Sequence, residues 1–121
     1  MIANTPSITV IGFGEAGASL CIGWKRTGVL SFDIKQTQPQ TQATILAAMH
    51  KLGVDSAADV SSAVSDADLI FSTVTADQAF DAASSVTPRL KPGAFFFDLN
   101  SCAPTTKQKS AAVIEAAGGR Y

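Results

Sequence analysis

Three glycines close behind an apolar run constrain most strongly how this chain can fold. The segment SITVIG, residues 7–12, is short, β-branched and ends at a glycine, which is typical of a parallel strand buried on both faces. Gly12, Gly14 and Gly17 then follow in the order G-x-G-x-x-G, at the head of a stretch with apolar residues at helical spacing. The sequence therefore predicts a strand, a tight turn and a helix in direct succession.

The same alternation continues along the rest of the chain. Further strands are predicted at residues 29–33, 54–57, 68–74 and 93–99. Helices are predicted at about 15–27 and 41–53, from Asp59, after the fourth strand, and at 104–119, with a polar loop at 34–41. Thr75 and Gln78 have the spacing of a capping box at the fourth of these helices. Alternating strands and helices predict an α/β fold of one domain, 1–121, with a doubly wound parallel sheet between two helical layers.

The glycine turn has the features of a pyrophosphate site. Gly12 allows the tight turn, Gly14 lets the backbone approach a phosphate, and Gly17 lets the helix pack closely on the strand. The N–H groups and the dipole at the start of the helix favour an anion there. Asp33 ends the second predicted strand, where an acid is expected to accept hydrogen bonds from a ribose. Together these positions predict a bound dinucleotide.

The choice between NAD and NADP depends on two neighbouring side chains. The Asp33 carboxylate is suited to both ribose hydroxyls and would repel a 2′-phosphate, which favours NAD. Lys35, two residues later, would partly neutralise such a phosphate, so NADP stays open and NAD is only slightly favoured. The alternatives are a turn residue at a strand end for Asp33 and an ordinary solvated lysine for Lys35.

Composition indicates where in the cell the protein is located and which classes of partner it binds. The chain has 121 residues, of which 46% are hydrophobic and 16% charged, and its net charge of −1 gives no reason to expect nucleic acid as a partner. Cys21 and Cys102 lie far apart without C-x-x-C spacing, so we predict reduced thiols, no disulfide and no metal site. The N-terminus lacks the positive charge of a signal peptide, and glycines and charges interrupt the first apolar stretch. These features predict a cytoplasmic protein that does not associate with a membrane.

Three segments together resemble a known family. They are VIGFGEAGASL near the start, DADLIFSTVTADQA in the middle and DLNSCAPTTKQKSAAVIEAAGGRY at the end. They are similar to the N-terminal NAD(P)-binding, Rossmann-type domain of the β-hydroxyacid dehydrogenases, which include 3-hydroxyisobutyrate and 6-phosphogluconate dehydrogenases. The resemblance covers essentially the whole chain, and its most diagnostic part is residues 98–104, which resemble the family's D-x-S-T-x-x-P stretch.

The resemblance implies roles for residues after the fourth and fifth strands. Asn100 and Ser101 stand where the family lines the pocket next to the nicotinamide, although serine and threonine are commoner there. Cys102 falls in the wall of the same pocket, and Val74 and Thr75 correspond to the adenosine side. Helix capping is the alternative role for Asn100, Ser101 and Thr75. The predicted cofactor site comprises Gly12, Phe13, Gly14, Glu15, Ala16, Gly17, Asp33, Ile34, Lys35, Val74, Thr75, Asn100 and Ser101, and the predicted substrate site comprises Asn100, Ser101 and Cys102.

The reaction that the resemblance implies requires a general base and a second domain that these 121 residues are not expected to supply. The full-length protein is expected to interconvert a small β-hydroxy acid and its carbonyl form by hydride transfer. The family's general base is a lysine in a G-x-x-G-x-x-x-K motif that does not occur here, and Lys107 and Lys109 do not match it. The C-terminal helical domain that closes the substrate cleft and forms the homodimer is missing as well. We therefore expect no catalytic residue in these 121 residues and no activity from them alone.

Two other functions remain open at this stage. The alternatives to a hydroxyacid dehydrogenase are a free-standing dinucleotide-sensing module without catalysis and the cofactor domain of a related reductase that acts on imines or phosphorylated sugars. His50, the single histidine, has no neighbour in the sequence that would orient it as a base.

Overall fold

Five short parallel strands form the centre of the molecule in the computed structural model, which describes residues 5–24 and 28–121. The strands are β1 (Ile8–Ile11), β2 (Leu30–Phe32), β3 (Asp55–Ser56), β4 (Leu69–Ser72) and β5 (Phe95–Asp98). Their order in the sheet is β3-β2-β1-β4-β5, and all neighbours are parallel. The chain thus starts at the centre, builds one half of the sheet outward and then returns to build the other half. This topology is Rossmann-like and confirms the predicted fold class.

Helices cover both faces of this sheet. They are α1 (Glu15–Trp24), α2 (Gln42–Lys51), α3 (Val60–Val64), α4 (Ala79–Val86) and α5 (Pro104–Ala116). One buried cluster joins β1 through Val10 to α1 and α2 through Cys21 and Met49. The other joins β4 and β5 to α3, α4 and α5, with Ile70 and Ile114 fully buried. The two clusters lie on opposite faces because successive side chains of a strand point to opposite sides.

The element boundaries differ from the predictions in a few places. β4 and β5 are shorter at both ends than residues 68–74 and 93–99. The predicted loop at 34–41 contains a 3₁₀ turn, Ile34–Thr37. The predicted end of the first helix, near residue 27, lies outside the described residues.

The predicted capping box of Thr75 and Gln78 is wrong. The chain leaving β4 first makes a 3₁₀ turn, Ala76–Gln78, so α4 begins only at Ala79, and the Thr75 side chain caps neither element. Capping boxes occur instead where Asp33 precedes Ile34–Thr37 and where Asp59 precedes α3.

Beyond α5 the chain returns to an extended conformation beside β5. Arg120 forms a parallel bridge with Phe95. The Arg120 N–H donates to the Ala94 carbonyl at 2.8 Å, and the Phe96 N–H donates to the Arg120 carbonyl at 2.7 Å. Arg120 therefore occupies a strand position beside β5. Among the described helices, none has the length and apolar character needed to cross a bilayer.

Candidate functional site

A cleft of about 540 Å³ opens at the carboxyl ends of β1, β2 and β4. In open α/β sheets this is the point where strand order reverses, and ligands bind there. The wall consists of the glycine turn, the end of β2, the loop after β4 and the adjoining face of α4. Of the predicted cofactor residues, those that line it are Gly12, Gly14, Glu15, Ala16, Asp33, Ile34, Lys35, Val74 and Thr75.

The three glycines of the turn serve different purposes. Gly12 has a φ of +93°, and a Cβ added to it would collide with the carbonyl oxygen of Thr73. A Cβ added to Gly17 would collide with the carbonyl oxygen of Gly12. Nothing lies within 4 Å of a Cβ added to Gly14, which lines the cleft. Gly12 and Gly17 are thus required by the fold, whereas Gly14 leaves free space that faces the cleft.

Helix α1 begins directly after this free space. Its first intrahelical bond runs from the Ala18 N–H to the Gly14 carbonyl at 3.0 Å. The N–H groups of the preceding residues have no intrahelical acceptor, as at any helix N-terminus. Glu15 and Ala16 are exposed at this end of the helix. The backbone therefore presents donors and a positive dipole end beside Gly14, an arrangement that suits a pyrophosphate.

Asp33 connects the glycine turn to the end of β2. The residue is 7% exposed, and its carboxylate accepts the Phe13 N–H at 2.6 Å and the Lys35 N–H at 2.8 Å. Its own N–H donates to Gln36 Oε1 at 3.1 Å. The Phe13 side chain is buried in the core, so Phe13 contributes to the site through its backbone. Sequence reasoning found Asp33 but not this bond to the glycine turn.

The charges around the cleft are mostly negative. Among the described residues that line it, Glu15, Asp33 and Asp81 carry carboxylates, and Lys35 alone carries a cation. Lys35 and Ile34 are exposed at the rim. A ligand with an additional phosphate near Asp33 would meet one cation and several acids.

The loop after β5 lies against the loop after β4. Asn100 is 6% exposed, and its Oδ1 accepts the Val74 N–H at 2.7 Å. Its Nδ2 donates to Ser72 Oγ at 3.1 Å and to Asp98 Oδ1 at 2.8 Å. Ser101 is exposed and Cys102 is half-buried. The predicted substrate residues therefore sit together at this edge, with the polar atoms of the Asn100 side chain directed inward.

Asp98, the last residue of β5, forms hydrogen bonds and an ion pair with three later residues of the chain. Its side chain is 2% exposed, and it accepts hydrogen bonds from the Asn100 N–H at 3.0 Å and from Tyr121 OH at 2.6 Å. Lys107 Nζ lies 3.3 Å from Asp98 Oδ1. Burial opposes ionisation of this carboxyl, but the bonds from Tyr121, Asn100 and Lys107 outweigh burial and lower its pKa. Asp98 is thus held as a buried carboxylate at neutral pH.

A second, apolar groove of about 570 Å³ runs along α1. Its lining includes Leu20, Trp24 and Leu99, and it shares Ala16 and Thr73 with the cleft. The shared residues make the two depressions neighbours across the glycine turn. Together they form two adjoining depressions, one on each side of the glycine turn.

Neither His50 nor Cys21 lines the cleft. Within residues 5–24 and 28–121, no three histidine, cysteine or acidic side chains are grouped as metal ligands would be. His50 is exposed at the end of α2 and does not line the cleft. Burial raises the pKa of the Cys21 thiol, which lies in the core.

The sequence also matches a known protein family over nearly its whole length. The sequence model of a family described as the NAD binding domain of 6-phosphogluconate dehydrogenase matches residues 7–121. No curated protein sequence matches the chain significantly.

Solved structures match nearly the whole chain. A conserved hypothetical protein from Sinorhizobium meliloti 1021 is 32% identical, with a TM-score of 0.85 over 93% of this chain and 38% of its own. The 3-hydroxyisobutyrate dehydrogenase of Mycobacterium tuberculosis is 21% identical, with a TM-score of 0.80 over 97% of this chain and 39% of its own. A variant imine reductase from Myxococcus stipitatus, solved with NAD+, is 24% identical, with a TM-score of 0.79 over 98% of this chain and 40% of its own. The chain thus spans 38–40% of the length of these proteins.

Proposed function

Because the chain belongs to the family of the NAD-binding domain of 6-phosphogluconate dehydrogenase, we propose that its cleft holds a nicotinamide dinucleotide by the pyrophosphate. The observation that carries this proposal is the open space at Gly14, beside the first N–H groups of α1, which have no intrahelical acceptor. A pyrophosphate fits this space and would accept hydrogen bonds from those groups. Residues 1–121 are proposed to form one cofactor-binding domain.

The two halves of the dinucleotide would lie on either side of the glycine turn. The adenosine ribose is proposed to contact Asp33, with Ile34 and Lys35 at the rim and Val74 and Thr75 on the opposite wall. The nicotinamide half would cross the turn, past Gly12 and Ala16. It would reach the edge formed by Asn100, Ser101 and Cys102. The sharing of Thr73 and Ala16 between the cleft and the apolar groove supports this path.

The charge distribution supports NAD over NADP. The Asp33 carboxylate is fixed by two backbone N–H groups, so it cannot turn away from a 2′-phosphate without breaking both bonds. Asp81 adds a second negative charge to the wall, against the single cation of Lys35. A 2′-phosphate brings further negative charge into this surrounding, which costs electrostatic energy.

The reaction of the whole protein is proposed from the family. The bound cofactor supplies or accepts a hydride at the nicotinamide ring, and this chain binds and orients that cofactor. The substrate is proposed to be a small β-hydroxy acid or its carbonyl form, with the general base supplied from outside these 121 residues, in a protein that forms a homodimer through its other domain. Imine reduction is the second candidate, because the imine reductase fold matches the chain as well as the dehydrogenase fold does.

Calorimetric titration with NADH and NADPH tests the cofactor proposal. The chain is expected to bind NADH more tightly than NADPH by about tenfold or more, which corresponds to about 1.4 kcal/mol. Asp33→Asn should reduce that ratio, since it removes the repelling charge. Asp59→Asn is the matched control, because Asp59 also closes a capping box but does not line the cleft. Tighter binding of NADPH would refute the preference, and binding of neither would refute the function.

A further inference from the structure

We propose that Asp98 is a positioning residue of the dinucleotide site, which acts through Asn100 on the loop after β4 and thereby on the glycine turn. The inference rests on the proposed function, because it concerns the shape of the same site. Asp98 itself does not line the cleft. Its effect on a ligand must therefore be transmitted by other residues, and a continuous set of contacts does this.

The first step is the orientation of the Asn100 amide. Its Nδ2 donates to Asp98 Oδ1 and to Ser72 Oγ, and this leaves Oδ1 to accept the Val74 N–H at 2.7 Å. Rotating the amide by half a turn would place Oδ1 against the Asp98 carboxylate and the NH₂ group against the Val74 N–H. Both contacts would then be repulsive, because a carboxylate only accepts and an N–H only donates. Asp98 thus fixes which atom of Asn100 faces Val74.

The second step leads from Val74 to the glycine turn. Thr73, next to Val74, donates from Oγ1 to the Gly12 carbonyl at 2.7 Å. The Thr73 carbonyl oxygen also lies so close to Gly12 that a Cβ there would collide with it. A displacement of Thr73 and Val74 would therefore move the backbone on which the pyrophosphate is proposed to rest.

The third step concerns the donors that fix the Asp98 carboxylate in place. Tyr121 OH, the Asn100 N–H and Lys107 Nζ all converge on its carboxylate, which is 2% exposed. These donors keep it ionised and lower its pKa, so at neutral pH it can only accept from Asn100. A buried carboxylate is costly unless it is fully hydrogen-bonded, and here the donors come from the loop after β5, from α5 and from the end of the chain. Three separate segments thus fix one amide orientation.

Two variants of Asp98, each measured in two ways, test the inference. Asp98→Ala should weaken NADH binding about tenfold, equivalent to about 1.4 kcal/mol. AMP binding should weaken less, by about threefold or about 0.7 kcal/mol, because AMP meets Val74 on the adenosine wall but carries only one of the two phosphates that the glycine turn is proposed to hold. The Val74 amide resonance in a ¹⁵N-correlation spectrum should shift as its hydrogen bond to Asn100 is lost. Asp98→Asn keeps an acceptor for Asn100 and should restore both the resonance and the NADH affinity.

Non-additivity provides the second test. If Asp98 acts through Asn100, the double variant Asp98→Ala/Asn100→Ala should bind NADH no more weakly than Asn100→Ala alone. Ser72→Ala is the matched control: it removes the other acceptor of Asn100 Nδ2 but leaves Asp98, so the Val74 resonance should stay in place. If Asp98→Ala does not fold, Asn100→Ala with the Ser72→Ala control carries the same measurement of NADH against AMP.

The outcomes separate the two claims. Equal weakening of AMP and NADH, an additive double variant, or an Asp98→Asn chain that behaves like Asp98→Ala would each overturn the positioning role while the proposed function stands. A native chain that binds no NADH would refute the proposed function itself, and the positioning role with it.

Discussion

Gly12 and Gly14 stand two residues apart in one turn, yet they require glycine for different reasons. At Gly12 the backbone has a φ of +93° and the Thr73 carbonyl occupies the space of a side chain. At Gly14 the space is open and faces the cleft. The fold therefore requires glycine at the first position, and at the second we propose that the ligand requires it. The spacing G-x-G-x-x-G does not make this distinction by itself.

Replacement of Gly12 should damage both stability and binding. We expect Gly12→Ala to lower the free energy of unfolding by at least about 2 kcal/mol, since a left-handed conformation costs a side chain about 1–2 kcal/mol and the collision adds to it. NADH affinity should be lost as the turn shifts. Gly53→Ala is the control: its φ is +70° with open space around it, so it should lose about 1 kcal/mol and bind normally. Urea unfolding and NADH titration measure both, and a fully stable Gly12→Ala chain would contradict the account.

Single residues also show where sequence reasoning stops. The motif and the strand end identify Gly12 and Asp33 directly, because their local neighbours define them. The bond from the Phe13 N–H to Asp33 and that from Tyr121 OH to Asp98 could not be predicted, because each joins residues that only the sheet topology brings together. Val74 and Asn100 were found from the family resemblance, but not their mutual hydrogen bond.

Among the elements, α5 contains a buried hydroxyl group that has no hydrogen-bond partner among the described residues. Ser110 is fully buried, and its hydroxyl makes no hydrogen bond to any residue within the described part of the chain. A buried hydroxyl without a partner costs about 1–3 kcal/mol, and alanine is also the better helix former. The helix is therefore less stable than its packing would allow.

Ser110→Ala should raise the free energy of unfolding by about 1 kcal/mol. Ser85→Ala in α4 is the comparison, because the Ser85 hydroxyl is exposed and already donates to the Ala82 carbonyl at 2.7 Å. That change should stay within about 0.5 kcal/mol of the native chain. Chemical denaturation of the three chains decides the matter, and a Ser110→Ala chain less stable than the native one would show that the hydroxyl has a partner.

Tyr121 at the end of the chain and Asp98 in β5 form a hydrogen-bonded pair of titratable side chains. Burial, followed by the hydrogen bond to the Asp98 carboxylate, raises the pKa of Tyr121 above its ordinary 10.0. Because the pKa is raised in the folded state, the stability from this pair is fully present below pH 10 and is lost as the pH rises further.

Tyr121 is the single tyrosine of the sequence, so the near-ultraviolet absorbance of its phenolate can be followed without interference from another tyrosine. Its midpoint should lie above 10.0 in the native chain and move down toward 10.0 in Asp98→Asn. A native midpoint at or below the ordinary value would mean that Tyr121 does not reach Asp98 in solution.

For the elements themselves, periodicity and glycine positions predicted the strands and most helices. The start of α4 was misplaced because Thr75 and Gln78 match a local capping pattern, whereas the chain first makes a 3₁₀ turn that includes Gln78. Asp33 and Gln36 form a capping box in a segment expected to be an irregular loop. Local patterns predict that a helix exists more securely than where it begins.

At the scale of the whole molecule, the alternation of strands and helices was sufficient to predict the sheet and its two helical layers. The returning strand order brings the ends of β1, β2 and β4 together, and this order is what makes a cleft of separate sequence segments. Substrate chemistry does not follow from the fold, since a hydroxyacid dehydrogenase and an imine reductase share it with similar TM-scores.

The central claim is that the backbone at Gly14 receives a pyrophosphate, and Gly14→Ala tests it most directly. Apart from its chain neighbours, the added methyl group meets no atom of the described residues within 4 Å. Since Gly14 is the N-cap of α1, where alanine is less favourable than glycine, the free energy of unfolding should fall by no more than about 1 kcal/mol. NADH affinity, measured by calorimetry on the same preparation, should fall by at least about tenfold. A folded Gly14→Ala chain that binds NADH as tightly as the native chain would contradict this claim.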